Sequence, residues 1–188
     1  MKYFYFSSNL NYQDNLLRYK DKSIIIYNEN YNDKNFINEK NLINLRKFCK
    51  NKNIKFCIIN DMKLAFRYKA DGLIITSDNR RPIYNFNKKI VKIGVAHTQK
   101  EYYEKEQQKC DYIFLSPIFS NKKYTANKVL GILKFNLISL NWNIKTLALG
   151  GISDKNLKKI RLTKSVGIGA ITFFKKKVRY KICNGPLI

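Results

Sequence analysis

Eight short apolar runs, spaced along 188 residues and separated by helix-like stretches, constrain this chain more than any other feature. They are YFYF (Tyr3–Phe6), SIIIY (Ser23–Tyr27), KFCIIN (Lys55–Asn60), GLII (Gly72–Ile75), VKIGV (Val91–Val95), YIFLS (Tyr112–Ser116), TLAL (Thr146–Leu149) and GIGAI (Gly167–Ile171). The runs are continuous rather than alternating. That pattern suits strands covered on both faces, as in a parallel sheet. Between them, Asn35–Lys50 repeats apolar residues at helical spacing, Gln99–Lys109 reads as a charged surface helix, and Val129–Leu140 as an apolar one. Asp154–Leu162 reads as a helix capped by Ser153 or Asp154. Thr76–Lys89, with Pro82 inside it, reads as a loop.

Eight strands alternating with helices predict an α/β fold, a compact TIM (β/α)8 barrel with some short or missing helices. An open doubly wound sheet is the alternative. No linker, repeat or low-complexity segment divides the chain, so one domain over residues 1–188 is expected.

In such a barrel the chemistry sits at the C-terminal ends of the strands. Reading past each run gives Ser7 and Ser8, then Asn28 and Glu29, then Asn60 and Asp61, then Thr76 to Asn79. His97 follows the fifth run. Ser116, Pro117, Ser120 and Asn121 follow the sixth, with Lys122 and Lys123 just beyond. The seventh gives Gly150-Gly151 and the eighth Thr172.

Two adjacent glycines at the end of a buried run, just before a helix, suit phosphate binding. Glycine lets the main chain approach closely, and a helix start offers N–H groups. Gly167 and Gly169 in the eighth run fit the same reading. Asp61 with Asp78 or Asn79, on neighbouring strands, could hold Mg²⁺, which borrows waters and phosphate oxygens. Each could equally cap a helix or turn. His97 is the only histidine, placed either to carry a proton or to serve structure.

The net charge of +24 raises nucleic-acid binding as a class. The lysines are spread along the chain among Asn and Ile, and no basic stripe marks one helix; KKKVRYK (Lys175–Lys181) is the densest run. The charge is therefore read as compositional, with no nucleic-acid partner, although a positive field also favours small phosphorylated molecules. No apolar run of membrane-spanning length occurs, and the N-terminus lacks a signal-peptide pattern. The four cysteines (Cys49, Cys57, Cys110 and Cys183) form no C-x-x-C pair, and reduced core thiols in the cytoplasm are expected. A homo-oligomer is left open.

Five stretches, in order and at the right spacing, carry a resemblance. "FCIIND…LAFRYKADGLII", "KIGVAHT", "CDYIFLSPIF", "LALGGIS" and "GIGAIT" resemble the thiamine phosphate synthase family, which includes related thiazole tautomerases, in a divergent bacterial branch. The resemblance implies a barrel that joins a pyrimidine methyl diphosphate to a thiazole phosphate, with Mg²⁺ as cofactor. By position, Asn60 and Asp61 would face diphosphate and Mg²⁺; the family's second Asp falls on Asn79, and Asp78, one place off, is the second candidate metal ligand. Gly150, Gly151, Gly169, Ile171 and Thr172 would line the phosphate side, Ser116 would contact substrate, and His97 would match the proton carrier of the tautomerases. The chain departs from the family's second strand, where IIIYNEN carries no cation, and from its strand-six loop, where Lys122 or Lys123 would supply the charge.

Overall fold

The computed structural model describes residues 1–7, 21–26, 39–81, 90–121, 124–170 and 173. Eight parallel strands close into a barrel in sequence order: β1 (Lys2–Ser7), β2 (Asp21–Ile26), β3 (Lys55–Ile59), β4 (Gly72–Ile75), β5 (Val91–Ala96), β6 (Tyr112–Leu115), β7 (Lys145–Leu149) and β8 (Gly167–Ala170). Each expected run supplies one strand, and β8 pairs with β1 through Lys2 opposite Gly167 to complete the ring. The helices are α1 (Glu39–Asn51), α2 (Met62–Arg67), α3 (Gln99–Gln107), α4 (Gly131–Asn141) and α5 (Leu157–Ile160). A short 3-10 turn covers Ala126–Lys128.

The strands read as unbroken apolar runs because both faces are buried. One set of alternate residues fills the barrel: Phe4, Phe6, Ile25, Cys57, Ile74, Ile93, Val95, Phe114 and Leu147 pack together inside the ring. Phe114 is the interior's hub. It meets Phe4 edge-on with ring centroids 5.2 Å apart, a geometry worth about 1 kcal/mol beyond area burial. The other set, including Tyr5, Ile24, Phe56, Leu73, Ile113 and Ile168, faces outward onto the helices.

Helix ends and strand starts follow a repeated device. Asn53, Lys69 and Lys109 adopt left-handed backbone angles just after α1, α2 and α3. The next residue in each case returns a hydrogen bond into the helix: Ile54 to Cys49, Ala70 to Ala65 and Cys110 to Lys105. Two of these turns then deliver an aspartate. Asp71 accepts from the N–H of Phe56 at 2.8 Å, and Asp111 from that of Lys92 at 2.8 Å. The Asp of "ADG" and of "CDY" thus fastens the start of the preceding strand.

The helices account for the main differences from expectation. α5 is a single turn beginning three residues after Asp154, with Asn156 at its N-cap and no side-chain cap. The Asn156 side chain instead accepts from Ser153 N–H and donates to the Gly151 carbonyl, both at 2.8 Å, so residues 153–156 form a turn. α4 buries Phe135 but leaves Leu133, Leu137 and Leu140 exposed. α3 starts as expected, with a capping box between Thr98 and Glu101. It is not wholly a surface helix, because Lys105 is completely buried.

Cys49, Cys57 and Cys110 are free and buried, and burial pushes each thiol up to about 12. They are neutral packing groups at ordinary pH; Cys183 lies outside the described residues. Among the described residues no helix is long and apolar enough to cross a membrane.

Candidate active site at the C-terminal rim

Parallel strands in a closed ring deliver all their C-terminal ends to one rim. Asn60 and Asp61 follow β3, Thr76–Asn79 follow β4, His97 follows β5, Ser116–Ser120 follow β6, and Gly150-Gly151 follow β7. Two groups of contacts organise this rim.

The first ties β3 to β4. Asn60 has φ of +54°, a left-handed conformation that Asn tolerates better than most residues. Its Nδ2 donates to Thr76 Oγ1 at 2.6 Å, while its Oδ1 accepts from the Thr76 N–H and from Asn79 Nδ2, both at 3.0 Å. Its own N–H donates to the Ile74 carbonyl at 2.8 Å. Donors and acceptors fix the orientation of this amide. Asp61 is exposed and caps α2, its Oδ1 accepting from Leu64 N–H at 2.8 Å. One carboxylate oxygen is used in the cap. Asp78 is exposed beside Asn79. The bond between Asn60 and Asn79 therefore joins the chain neighbours of both aspartates. Among the described residues no group of three or more His, Cys, Asp or Glu gathers as a metal cluster. Two carboxylates completed by phosphate oxygens and waters remain a donor set that suits Mg²⁺.

From below, α3 holds the same loop. Lys105 Nζ donates to the Asn79 carbonyl at 2.8 Å, and Gln108 Nε2 donates to the carbonyls of Asn79 at 2.9 Å and Arg81 at 2.8 Å. Burial pushes the Lys105 ammonium below the usual lysine range, opposed by Cys110, Glu104, Glu101 and Asp78. Sequence reasoning missed this lysine, since a lysine in a charged helix reads as solvated. The signal was Gly94, a glycine inside β5.

The second group links β5, β6 and β7. His97 is exposed, and its Nδ1 lies 3.0 Å from both the carbonyl oxygen and the Oγ of buried Ser116. With the proton on Nδ1, the ring donates to the carbonyl, leaving Nε2 as an acceptor. With Nδ1 bare, the ring accepts from the Ser116 hydroxyl, making Nε2 a donor. Both tautomers find a partner, which suits a proton carrier. The Ser116–Pro117 peptide is cis.

The loop beyond Pro117 packs on the double glycine. Ile118 N–H donates to the Leu149 carbonyl at 2.9 Å and Phe119 N–H to the Gly150 carbonyl at 3.2 Å. Gly150 and Gly151 have φ of +95° and +69°, and a Cβ on Gly151 would collide with the Phe119 carbonyl and lie 2.7 Å from that of Ser120. The close approach that requires glycine is thus to the neighbouring loop. Among the described residues, the Gly151 N–H meets no acceptor, whereas the Gly150 N–H faces β8, where Gly169 is the ladder partner of Leu149. Because α5 starts late and spans one turn, the Gly151 N–H, rather than a helix dipole, is what the loop offers an anion.

Gly169 lies deeper. A Cβ there would meet Phe114 at 2.7 Å and Phe6 at 2.9 Å, so its bare face makes room for the barrel interior. Lys122, Lys123, Ile171 and Thr172 lie outside the described residues, as do Asn28 and Glu29. The rim therefore unites Asn60, Asp61, Asp78, His97, Ser116, Gly150 and Gly151.

Residues 7–173 match the family model for thiamine monophosphate synthase. A thiamine-phosphate synthase of Staphylococcus haemolyticus is 28% identical over 135 residues, covering 69% of this chain and 63% of that protein. One from Prochlorococcus marinus is 33% identical over 129 residues, covering 66% of this chain and 36% of that protein. The aligned stretch spans less than two thirds of either relative. The solved structure of thiamine phosphate pyrophosphorylase from Pyrococcus furiosus superposes with a TM-score of 0.70 at 19% identity, covering 90% of this chain and 84% of that one. Matched along nearly all of its barrel, the chain belongs to the thiamine monophosphate synthase (TMP-TENI) family.

Proposed function

We propose that the chain is a transferase of thiamine biosynthesis that joins a pyrimidine methyl diphosphate to a thiazole phosphate. The observation that carries this reading is the common rim: the Asn60-Asp61 pair, His97 and the Gly150-Gly151 main chain stand at the C-terminal strand ends of one ring. In the reaction the methylene carbon loses its bond to diphosphate, and the thiazole nitrogen forms a new bond to that carbon. Charge builds on the departing diphosphate, so catalysis is mainly electrostatic.

The Gly150-Gly151 main chain holds the thiazole phosphate, with the Gly151 N–H as donor. Asn60, clamped by Thr76 and Asn79, presents a fixed edge at the diphosphate end. Asp61, through its oxygen outside the cap, and Asp78 would hold Mg²⁺. Bound there, Mg²⁺ supplies positive charge to the leaving diphosphate. Lys122 and Lys123, outside the described residues, would supply cationic charge to the diphosphate in this reading.

The His97–Ser116 contact supports a second reading, a thiazole tautomerase. Such an enzyme needs a phosphate site and a proton carrier but no diphosphate. A barrel that binds thiazole phosphate without turnover is the limiting case.

Ligand-dependent melting separates these. A synthase gains thermal stability from pyrimidine diphosphate only when Mg²⁺ is present, since a ligand bound to the native state raises Tm. A tautomerase or a bare binding barrel responds to thiazole phosphate alone. No response to either ligand would defeat the phosphate-site reading altogether.

A further inference from the structure

We propose that Lys105 is a positioning residue, forming with Gln108 and the bare face of Gly94 a strut that sets Asn79 against Asn60 at the diphosphate end of the site. The proposal rests on the synthase reading for its consequence in catalysis, but the strut itself is a property of the fold.

Lys105 is fully buried, although it sits on a helix rich in charge. Burying an ammonium costs several kcal/mol unless it is well hydrogen-bonded, so its location calls for a role beyond packing. Its stem crosses β5 at Gly94: a Cβ there would lie 2.7 Å from Lys105 Cγ and 2.9 Å from its Cβ. The glycine thus opens the passage through which the lysine reaches the rim.

At the far end the ammonium meets the carbonyl of Asn79, the residue whose side chain holds Asn60. Gln108 donates to that same carbonyl and to Arg81, and Arg80 pairs with Glu104 at 3.4 Å. Three consecutive residues of the β4 loop are therefore tied to α3. These ties add to the loop's own bond from Asn79 N–H to the Thr76 carbonyl and hold the Asn79 amide 3.0 Å from Asn60 Oδ1.

The test uses the full chain with Lys105→Met, which keeps the stem and removes the ammonium. Far-UV circular dichroism reports folding, and the side-chain amide resonances of Asn60 and Asn79 report the strut without any ligand. The expected result is a native spectrum with both resonances displaced. In the synthase assay, KM for the pyrimidine diphosphate rises about tenfold, as misplacing a binding group does, with KM for thiazole phosphate within about twofold. A packing role alone would not split the two substrates. Gly94→Ala, whose added Cβ would press on the Lys105 stem, should reproduce the same signature.

A folded Lys105→Met with unmoved Asn60 and Asn79 resonances overturns the proposal. Should that variant fail to fold, Gln108→Leu, which keeps the ammonium, decides through the same resonances. If the native chain makes no thiamine phosphate, the synthase reading falls, and the resonances still decide the strut.

Discussion

The two rims of this barrel are furnished from the same basic composition but use it differently. At the N-terminal rim, carboxylates are spent on the fold. Asp21 pairs with Lys2 at 3.0 Å and Lys55 at 3.6 Å, and Asp71 pairs with Arg46 at 3.0 Å while also accepting from Phe56 N–H. Asp111 accepts from Lys92 N–H. At the C-terminal rim, fixation falls to amides and main chain: Asn60 to Thr76 and Asn79, Ser116 to His97, and the β6 loop to Gly150. Asp61 gives one oxygen to a cap, and the Gly151 N–H is unengaged among the described residues. One end closes the ring with satisfied charge; the other keeps hydrogen-bonding capacity for a ligand.

Substitutions at the two rims should therefore separate stability from ligand response. The largest effect is expected at Gly151. Gly151→Val combines a positive φ with a collision against the Phe119 backbone, so it should cost about 3 kcal/mol in urea unfolding and remove stabilisation by thiazole phosphate. Unchanged stability with unchanged binding would erase the distinction between the rims.

Asp61→Asn sharpens the comparison, because Asn caps as well as Asp but carries no charge. Synthase turnover should fall about a hundredfold, roughly 2.7 kcal/mol, with unfolding stability nearly unchanged. Asp61→Ala should add about 1 kcal/mol of destabilisation from the lost cap. Turnover that survives Asp61→Asn would reduce the residue to a cap.

Asp71→Ala, at the opposite rim, should cost about 1–2 kcal/mol. Most of it comes from stranding Phe56 N–H, since a partly exposed ion pair adds less than about 1 kcal/mol. Both ligand responses should persist in melting assays. Their loss would mean that the N-terminal rim also serves binding.

The smallest effect belongs to Asp21. Burial would raise its carboxyl, but Lys2 and Lys55 together outweigh burial and hold it below its ordinary 3.8. A depressed carboxylate contributes stability above its unfolded pKa and loses it as pH falls through the folded one. Asp21→Asn should thus cost under about 1 kcal/mol at neutral pH, and the difference should vanish well below pH 3.8. A gap that widens in acid would contradict the pairing.

Much of this fold is legible in the sequence because burial on both faces turns strands into unbroken apolar runs such as IIIY and GLII. The rim was legible for the same reason, since polar residues can only follow where a run ends. Helix starts were less so: Asn156 folds back on Ser153 and Gly151, a local contact that periodicity does not encode. The double glycine was legible as a close approach, but what it approaches, Phe119 and Ser120, depends on neighbouring strands. Lys105 was hidden because its burial follows from a glycine eleven residues earlier on another element.

The measurement that bears most directly on the account is mass detection of thiamine phosphate after the chain is incubated with both substrates and Mg²⁺. The account expects thiamine phosphate and pyrophosphate in equal amounts, lost in Gly151→Val and Asp61→Asn. A folded native chain that binds both substrates yet yields neither product would contradict it.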